Sequence, residues 1–155
     1  MAPSDDVVSV ERLIPAAPEK IFDLLADPAR HRDIDGSGTV RDAKAGSERL
    51  ALGSTFGMSM KMGLPYSMRS EVIEFDENRR IAWQTRAPVS WGAKLGGGRI
   101  WRYDLEPVDG GTRVRESWDI SQEAPLTKPI VKLSAKKTAE NMDKTLARIE
   151  QLVTG

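Results

Sequence analysis

Between residues 98 and 120, apolar and polar positions alternate with period two on either side of a glycine turn, the pattern of a β-hairpin. One arm reads Gly98-Arg99-Ile100-Trp101-Arg102-Tyr103-Asp104-Leu105-Glu106. The other reads Thr112-Arg113-Val114-Arg115-Glu116-Ser117-Trp118-Asp119-Ile120, and Asp109-Gly110-Gly111 joins them. Pairing Leu105 with Val114 sets Tyr103 opposite Glu116, Trp101 opposite Trp118 and Arg99 opposite Ile120, because successive strand side chains point to opposite faces. The outward row is then Arg102, Asp104, Arg113, Arg115 and Asp119, which suits water. The inward row is apolar except for Arg99 and Glu116, whose burial without partners costs on the order of several kcal/mol each.

The same reading extends along the chain. Val7 to Ile14 predicts a first strand. Pro18 suits a first helical turn, and Ile21, Leu24 and Leu25 form an apolar stripe, so a short helix runs from Pro18 to Ala26. Ala29 to Ile34 predicts a second short helix with Asp27 as its N-cap and Gly36 near its end. Strands follow over Thr39–Ala45 and Thr55–Met62, the latter carrying Phe56, Met58, Met60 and Met62 on one face and ending at Gly63-Leu64-Pro65. A hairpin over Tyr66–Phe75 and Arg80–Arg86 places Val72 and Trp83 on its inner side. Pro88 to Gly98, with Trp91 and three successive glycines, reads as a mobile, lid-like loop. The final pattern, Val131, Ala135, Ala139, Met142, Leu146, Ile149 and Val153 at steps of three and four, predicts one continuous amphipathic helix whose other side is charged.

The predicted class is α+β: about six to seven antiparallel strands in a curved sheet, two short helices after the first strand, and a long C-terminal helix across the concave face. A twisted sheet and a helix with small residues do not fill the space between them, so Ala135 and Ala139 opposite Trp and Met side chains leave room for a cavity. At 155 residues one domain is expected over 1–155, with 1–5 disordered, able to bury roughly 70% of its unfolded surface.

Composition narrows the chemistry. Lys plus Arg and Asp plus Glu each number 23, so the positive excess of a nucleic-acid binder is missing and no nucleic-acid partner is expected. Apolar residues make up 39% and charged residues 30%, which leaves no stretch for an integral membrane span. With no cysteine and a single histidine, neither a thiolate nor a zinc site is expected, and no cofactor is called for. The N-terminus lacks a signal-peptide pattern, which points to the cytoplasm. His31, among Arg30, Arg32 and Asp33, reads as a solvated surface histidine. Gly96-Gly97-Gly98 lacks the Lys-Ser or Lys-Thr of a phosphate loop and reads as a hinge.

The element order, together with Ile14-Pro15-Ala16-Ala17-Pro18-Glu19-Lys20-Ile21-Phe22-Asp23-Leu24-Leu25-Ala26-Asp27-Pro28, resembles the SRPBCC superfamily, whose helix-grip fold is shared by START domains, birch-pollen-allergen-like proteins and polyketide cyclase/dehydrase-type proteins. Glu71-Val72-Ile73-Glu74-Phe75-Asp76-Glu77-Asn78-Arg79-Arg80-Ile81-Ala82-Trp83 and Gly110-Gly111-Thr112-Arg113-Val114 are similar to the family as well. These motifs are structural and carry no catalytic signature. Many relatives have a tryptophan shortly after the position of Arg30-His31-Arg32, where this chain has Ile34 and Asp35.

Three functions follow as expectations. The first is a binder of an apolar or aromatic small molecule, such as a lipid, polyketide or sterol-like compound. Trp83, Trp101 and Trp118 would form its main wall. The adaptable Met58, Met60 and Met62 would form a second lining, with Val72 and Val114 from the sheet and Ala135, Ala139 and Met142 from the helix. The same side chains serve equally as plain core. The second is a polyketide cyclase or dehydratase, in which Glu116, its pKa raised by an apolar wall, moves a proton while Arg99 or Tyr103 holds a carbonyl oxygen. The third is a protein-interaction or chaperone-like module that uses the exposed Trp91 loop.

Overall fold

Seven stretches of alternating sequence pair into one antiparallel sheet in the computed structural model, which describes residues 6–27, 30–34, 40–43, 49–62, 64–86, 98–123 and 128–154. The strands are β1 (Val7–Ile14), β2 (Val40–Ala43), β3 (Thr55–Met62), β4 (Leu64–Asp76), β5 (Arg80–Arg86), β6 (Arg99–Val108) and β7 (Gly111–Asp119). Strands β2 to β7 form a meander, and β1 closes it by pairing with β7, giving the order β1-β7-β6-β5-β4-β3-β2. Two short helices, α1 (Pro18–Leu25) and α2 (His31–Ile34), carry the chain from one edge of the curved sheet to the other. After β7 come α3 (Lys128–Lys132) and α4 (Ala135–Thr154).

The register matches the alternation: Leu105 faces Val114, Tyr103 faces Glu116 and Trp101 faces Trp118. The β6–β7 turn narrows to Asp109-Gly110, since Val108 and Gly111 already pair. Gly110 takes φ 89°, the left-handed region that glycine enters without a Cβ penalty. At Gly111 a Cβ would stand 2.1 Å from the carbonyl oxygen of Ile14, so β1 and β7 approach there only because the side chain is missing. In the β4–β5 turn Asn78 takes φ 65°, a conformation asparagine tolerates. A bulge lies between Val72 and Glu74; it restores Phe75 to the inner face, where its ring meets Phe22 edge-on at 5.3 Å.

Three expectations need correction. Strand β3 ends at Met62, before Gly63-Leu64-Pro65, but β4 begins at Leu64 rather than Tyr66, with Leu64 paired to Met62 and Pro65 to Lys61; proline is tolerated close to a strand's start. The C-terminal helix is not continuous. The amides of Leu133 and Ser134 donate to the carbonyls of Ile130 and Val131 at 3.2 and 3.0 Å, and the Ser134 hydroxyl donates to the Val131 carbonyl at 2.7 Å. These tight three-residue bonds close α3, while the Ser134 carbonyl accepts from the Thr138 amide at 2.8 Å and starts α4. Third, His31 is buried, at 7% exposure. Its place one helical step before the buried Ile34 turns it inward despite its polar neighbours.

The core lies between the sheet and the helices. Ile21, Phe22, Leu24 and Leu25 of α1 and Leu146 and Ile149 of α4 are buried with Ile14, Val72, Ile81, Leu105 and Val114 of the sheet, while Met142 of α4 joins Trp118 and Ile120 in a second cluster. Each such aliphatic or aromatic side chain contributes roughly 1.5–3 kcal/mol on burial. The opposite face is polar, with Arg102 bound to Glu74 and Arg80 to Asp104. No helix among the described residues is long and apolar enough to cross a membrane. The expected Trp91 lid lies outside the described residues.

Candidate ligand-binding face

Register turns the period-two pattern into ordered rows on the concave face. Val72, Trp83, Trp101, Trp118 and Val8 are successive cross-strand partners over β4, β5, β6, β7 and β1. Three tryptophans thus stand side by side across the middle of the sheet. Trp83 and Trp118 are buried and Trp101 is half-buried; the Trp101 and Trp118 rings lie 6.4 Å apart and tilted, within the range of favourable aromatic pairing.

The next row holds Phe75, Ile81, Tyr103, Glu116 and Val10. Its polar members meet: the Tyr103 hydroxyl donates to Glu116 Oε2 at 2.8 Å, with the two residues only 4% and 2% exposed. Tyr103 also packs against Trp83 with ring centroids 5.6 Å apart. On the other side of the tryptophans runs Ser70, Thr85 and Arg99. The Ser70 and Thr85 hydroxyls share a 2.8 Å hydrogen bond, and Arg99 Nε donates to Glu123 Oε1 at 3.3 Å. The face is therefore graded: a hydroxyl and guanidinium strip, an aromatic band, and a phenol–carboxyl pair.

The structure brings together Trp83, Trp101, Trp118 and Val72, and separately Tyr103 and Glu116. Arg99 does not join that pair. It lies four residues from Tyr103 on the same strand, about 13 Å away at strand spacing, with the tryptophan row between. Val114 is fully buried opposite Leu105 in the main core. Met142 packs with Trp118 and Ile120, and Ala135 lies against that cluster; Ala139 is half-buried on α4. Met58 and Met60 pair with Met68 and Tyr66, and Met62 with Leu64, but their side chains lie outside the described residues. No group of three or more His, Asp or Glu residues able to hold a metal occurs among the described residues.

Two residues of this face escape the sequence pattern. Glu123, with a side chain 7% exposed, supplies the charge that Arg99 needs. It sits in a turn after β7, where no periodicity marks an inward position. His31 stacks on Trp83 at 4.9 Å and 22° between ring planes. Its Nε2 lies 2.8 Å from the Leu25 carbonyl oxygen, and since a carbonyl only accepts, Nε2 carries the proton. The i to i+3 spacing of His31 and Ile34 is the signal that would have found it.

Comparison with known proteins agrees with this architecture. The family model described as polyketide cyclase / dehydrase and lipid transport matches residues 6–154. The uncharacterised protein Rv0088 of Mycobacterium tuberculosis is 34% identical over 147 residues, covering 91% of this chain and 60% of the relative; the chain thus spans about 60% of the length of the curated relatives it matches. Among solved structures, protein NE0264 from Nitrosomonas europaea superposes with a TM-score of 0.76 at 14% identity, covering 99% of this chain and 97% of that one. A polyketide-cyclase-like protein from Corynebacterium glutamicum gives 0.61 at 20% identity, with 99% and 94% covered. By the extent of the family match, this chain belongs to the polyketide cyclase / dehydrase and lipid transport family.

Proposed function

We propose that the chain binds one apolar or aromatic small molecule, of lipid, polyketide or sterol-like type, between the concave face of the sheet and α4. The observation that carries this reading is the row Trp83, Trp101 and Trp118 across three adjacent strands, flanked on both sides by polar groups. Such a face takes an elongated or ring-fused body along the tryptophans and a ligand oxygen at an edge. The Trp118 indole N–H supports it further: it is buried and has no acceptor among the described residues. Leaving such a donor unsatisfied costs about 1–3 kcal/mol, which a ligand oxygen would recover.

Native mass spectrometry of the purified protein, followed by extraction and identification of what stays bound, tests the proposal. A defined apolar molecule at one per chain is the expected result, and Trp118→Ala weakens its retention. A protein that carries nothing and whose tryptophan fluorescence ignores fatty acids, sterols and aromatic polyketides would refute it.

The buried Tyr103–Glu116 hydrogen bond favours a second reading, a cyclase or dehydratase. A carboxylate there would take the proton from the carbon next to a ketone while the phenol, turned from the carboxylate to the substrate, stabilises the enolate oxygen. Equal and severe loss of turnover in Glu116→Gln and Tyr103→Phe supports catalysis; unchanged turnover in both excludes it.

A further inference from the structure

None of the five residues of α3 is buried. Val131 turns inward with Ala135 onto the Trp118–Ile120–Met142 cluster. Ile130 and, just beyond α3, Leu133 turn outward at 70% and 86% exposure, the most exposed of the large apolar side chains among the described residues. Lys128, Lys132, Lys136 and Lys137 flank them along the sequence, which has no acidic residue between Glu123 and Glu140. Asp6 meets both Lys128 and Lys132, at 3.1 and 3.5 Å, while Lys136 and Lys137 stand exposed at the start of α4. Exposed lysines alone are an ordinary solvated face. Two adjacent protruding aliphatic side chains on so basic a segment are not, because water gains nothing from them.

We propose that the α3–α4 junction docks on an anionic lipid bilayer. Ile130 and Leu133 enter the boundary between headgroups and acyl chains, and the lysines, their methylene stems lying along the apolar zone, reach the lipid phosphates. The charge picks out this partner: basic side chains near a surface each strengthen binding to anionic membranes by about five-fold, whereas a second copy of the chain would set like charges against each other. Docking itself does not depend on the ligand proposed above. If that reading holds, however, the turn that meets the membrane also carries Val131 against Trp118, so the end of the tryptophan face lies beside the phase in which an apolar ligand partitions.

Co-sedimentation of the full chain with vesicles tests this, using phosphatidylcholine alone and phosphatidylcholine mixed with phosphatidylserine. The chain pellets with the mixed vesicles, stays in solution with the neutral ones, and is released as salt is raised. The double substitution Ile130→Ser and Leu133→Ser, at side chains too exposed to hold the fold together, lowers partitioning at least about ten-fold, and Lys136→Gln with Lys137→Gln lowers it by about five-fold per lysine. Circular dichroism shows that both variants remain folded. Failure of the unaltered chain to pellet with anionic vesicles, or full binding by the Ile130/Leu133 variant, overturns the proposal. So does a dimer in sedimentation velocity that this variant abolishes while vesicles are ignored, which would assign the patch to a second copy. The Ile130/Leu133 variant separates the two readings, because it loses vesicle binding while its untouched concave face retains ligand.

Discussion

At the scale of single residues, the polar groups on the concave face are held in place by one another. The Tyr103 hydroxyl reaches Glu116 because both side chains leave adjacent strands on the same face at the same register. Tyr103→Phe removes that donor and leaves the carboxyl in a site 2% exposed, so it should lower the free energy of unfolding by about 1–3 kcal/mol, read from urea midpoints at neutral pH. A change within error would mean that Glu116 is satisfied without the phenol. This pair was legible in the sequence because strand alternation and one turn determine it. The partner of Arg99 was not, since Glu123 owes its position to a turn whose amide donates to the Ile120 carbonyl at 3.0 Å, and no period extends through a turn. His31 looks solvent-facing from its three charged neighbours, whereas its spacing from the buried Ile34 turns it inward.

Elements obey the same division between periodic and local signals. The strands and α1 follow from hydrophobic period, and two motifs that resemble the family turn out to touch: Gly111 passes beneath the Ile14 carbonyl, and the Thr112 hydroxyl donates to the Ala16 carbonyl at 2.7 Å. The junction from β1 into α1 is thus fastened to the first residues of β7. Alanine at the two turn glycines should therefore have unequal effects. Gly110→Ala meets no atom within 4 Å and incurs only the left-handed backbone penalty of roughly 1–2 kcal/mol. Gly111→Ala drives a Cβ into the Ile14 backbone and must push β1 from β7. Thermal unfolding should rank Gly111→Ala well below Gly110→Ala, with faster amide exchange in β1; the reverse ranking would contradict the close approach. The break between α3 and α4 was not legible, because apolar spacing continues through Leu133 and Ser134 while a side-chain hydrogen bond at Ser134 ends the helix.

For the whole molecule, the sheet separates two kinds of electrostatics. Among the described residues the concave face carries Glu116, Arg99 paired with Glu123 and, on β1, Arg12 paired with Glu150 of α4, whereas the convex face spreads its charges through Glu74, Arg80, Arg102, Asp104 and Asp119. The hydrogen bond from Arg102 is the main cause that holds the Glu74 carboxyl below its ordinary value, with its charge and that of Arg80 adding to it and burial opposing it. A carboxyl lowered on folding stabilises the native state above its unfolded pKa of about 4.3, and that contribution fades as pH falls through the lower folded value. Acidification also leaves 23 Lys and Arg side chains facing few remaining carboxylates, a general repulsion that destabilises the fold by a separate route. The two are distinguishable. Arg102→Gln removes the specific contribution and barely alters the general one, so its urea midpoint should lie below that of the unaltered chain at pH 7 and converge on it below about pH 4. Added salt should weaken the general repulsion strongly and the half-buried Glu74–Arg102 difference less. A gap that stays constant across the carboxylate range would mean that Arg102 supports the sheet through its packing alone and that the shift at Glu74 has no part in acid unfolding.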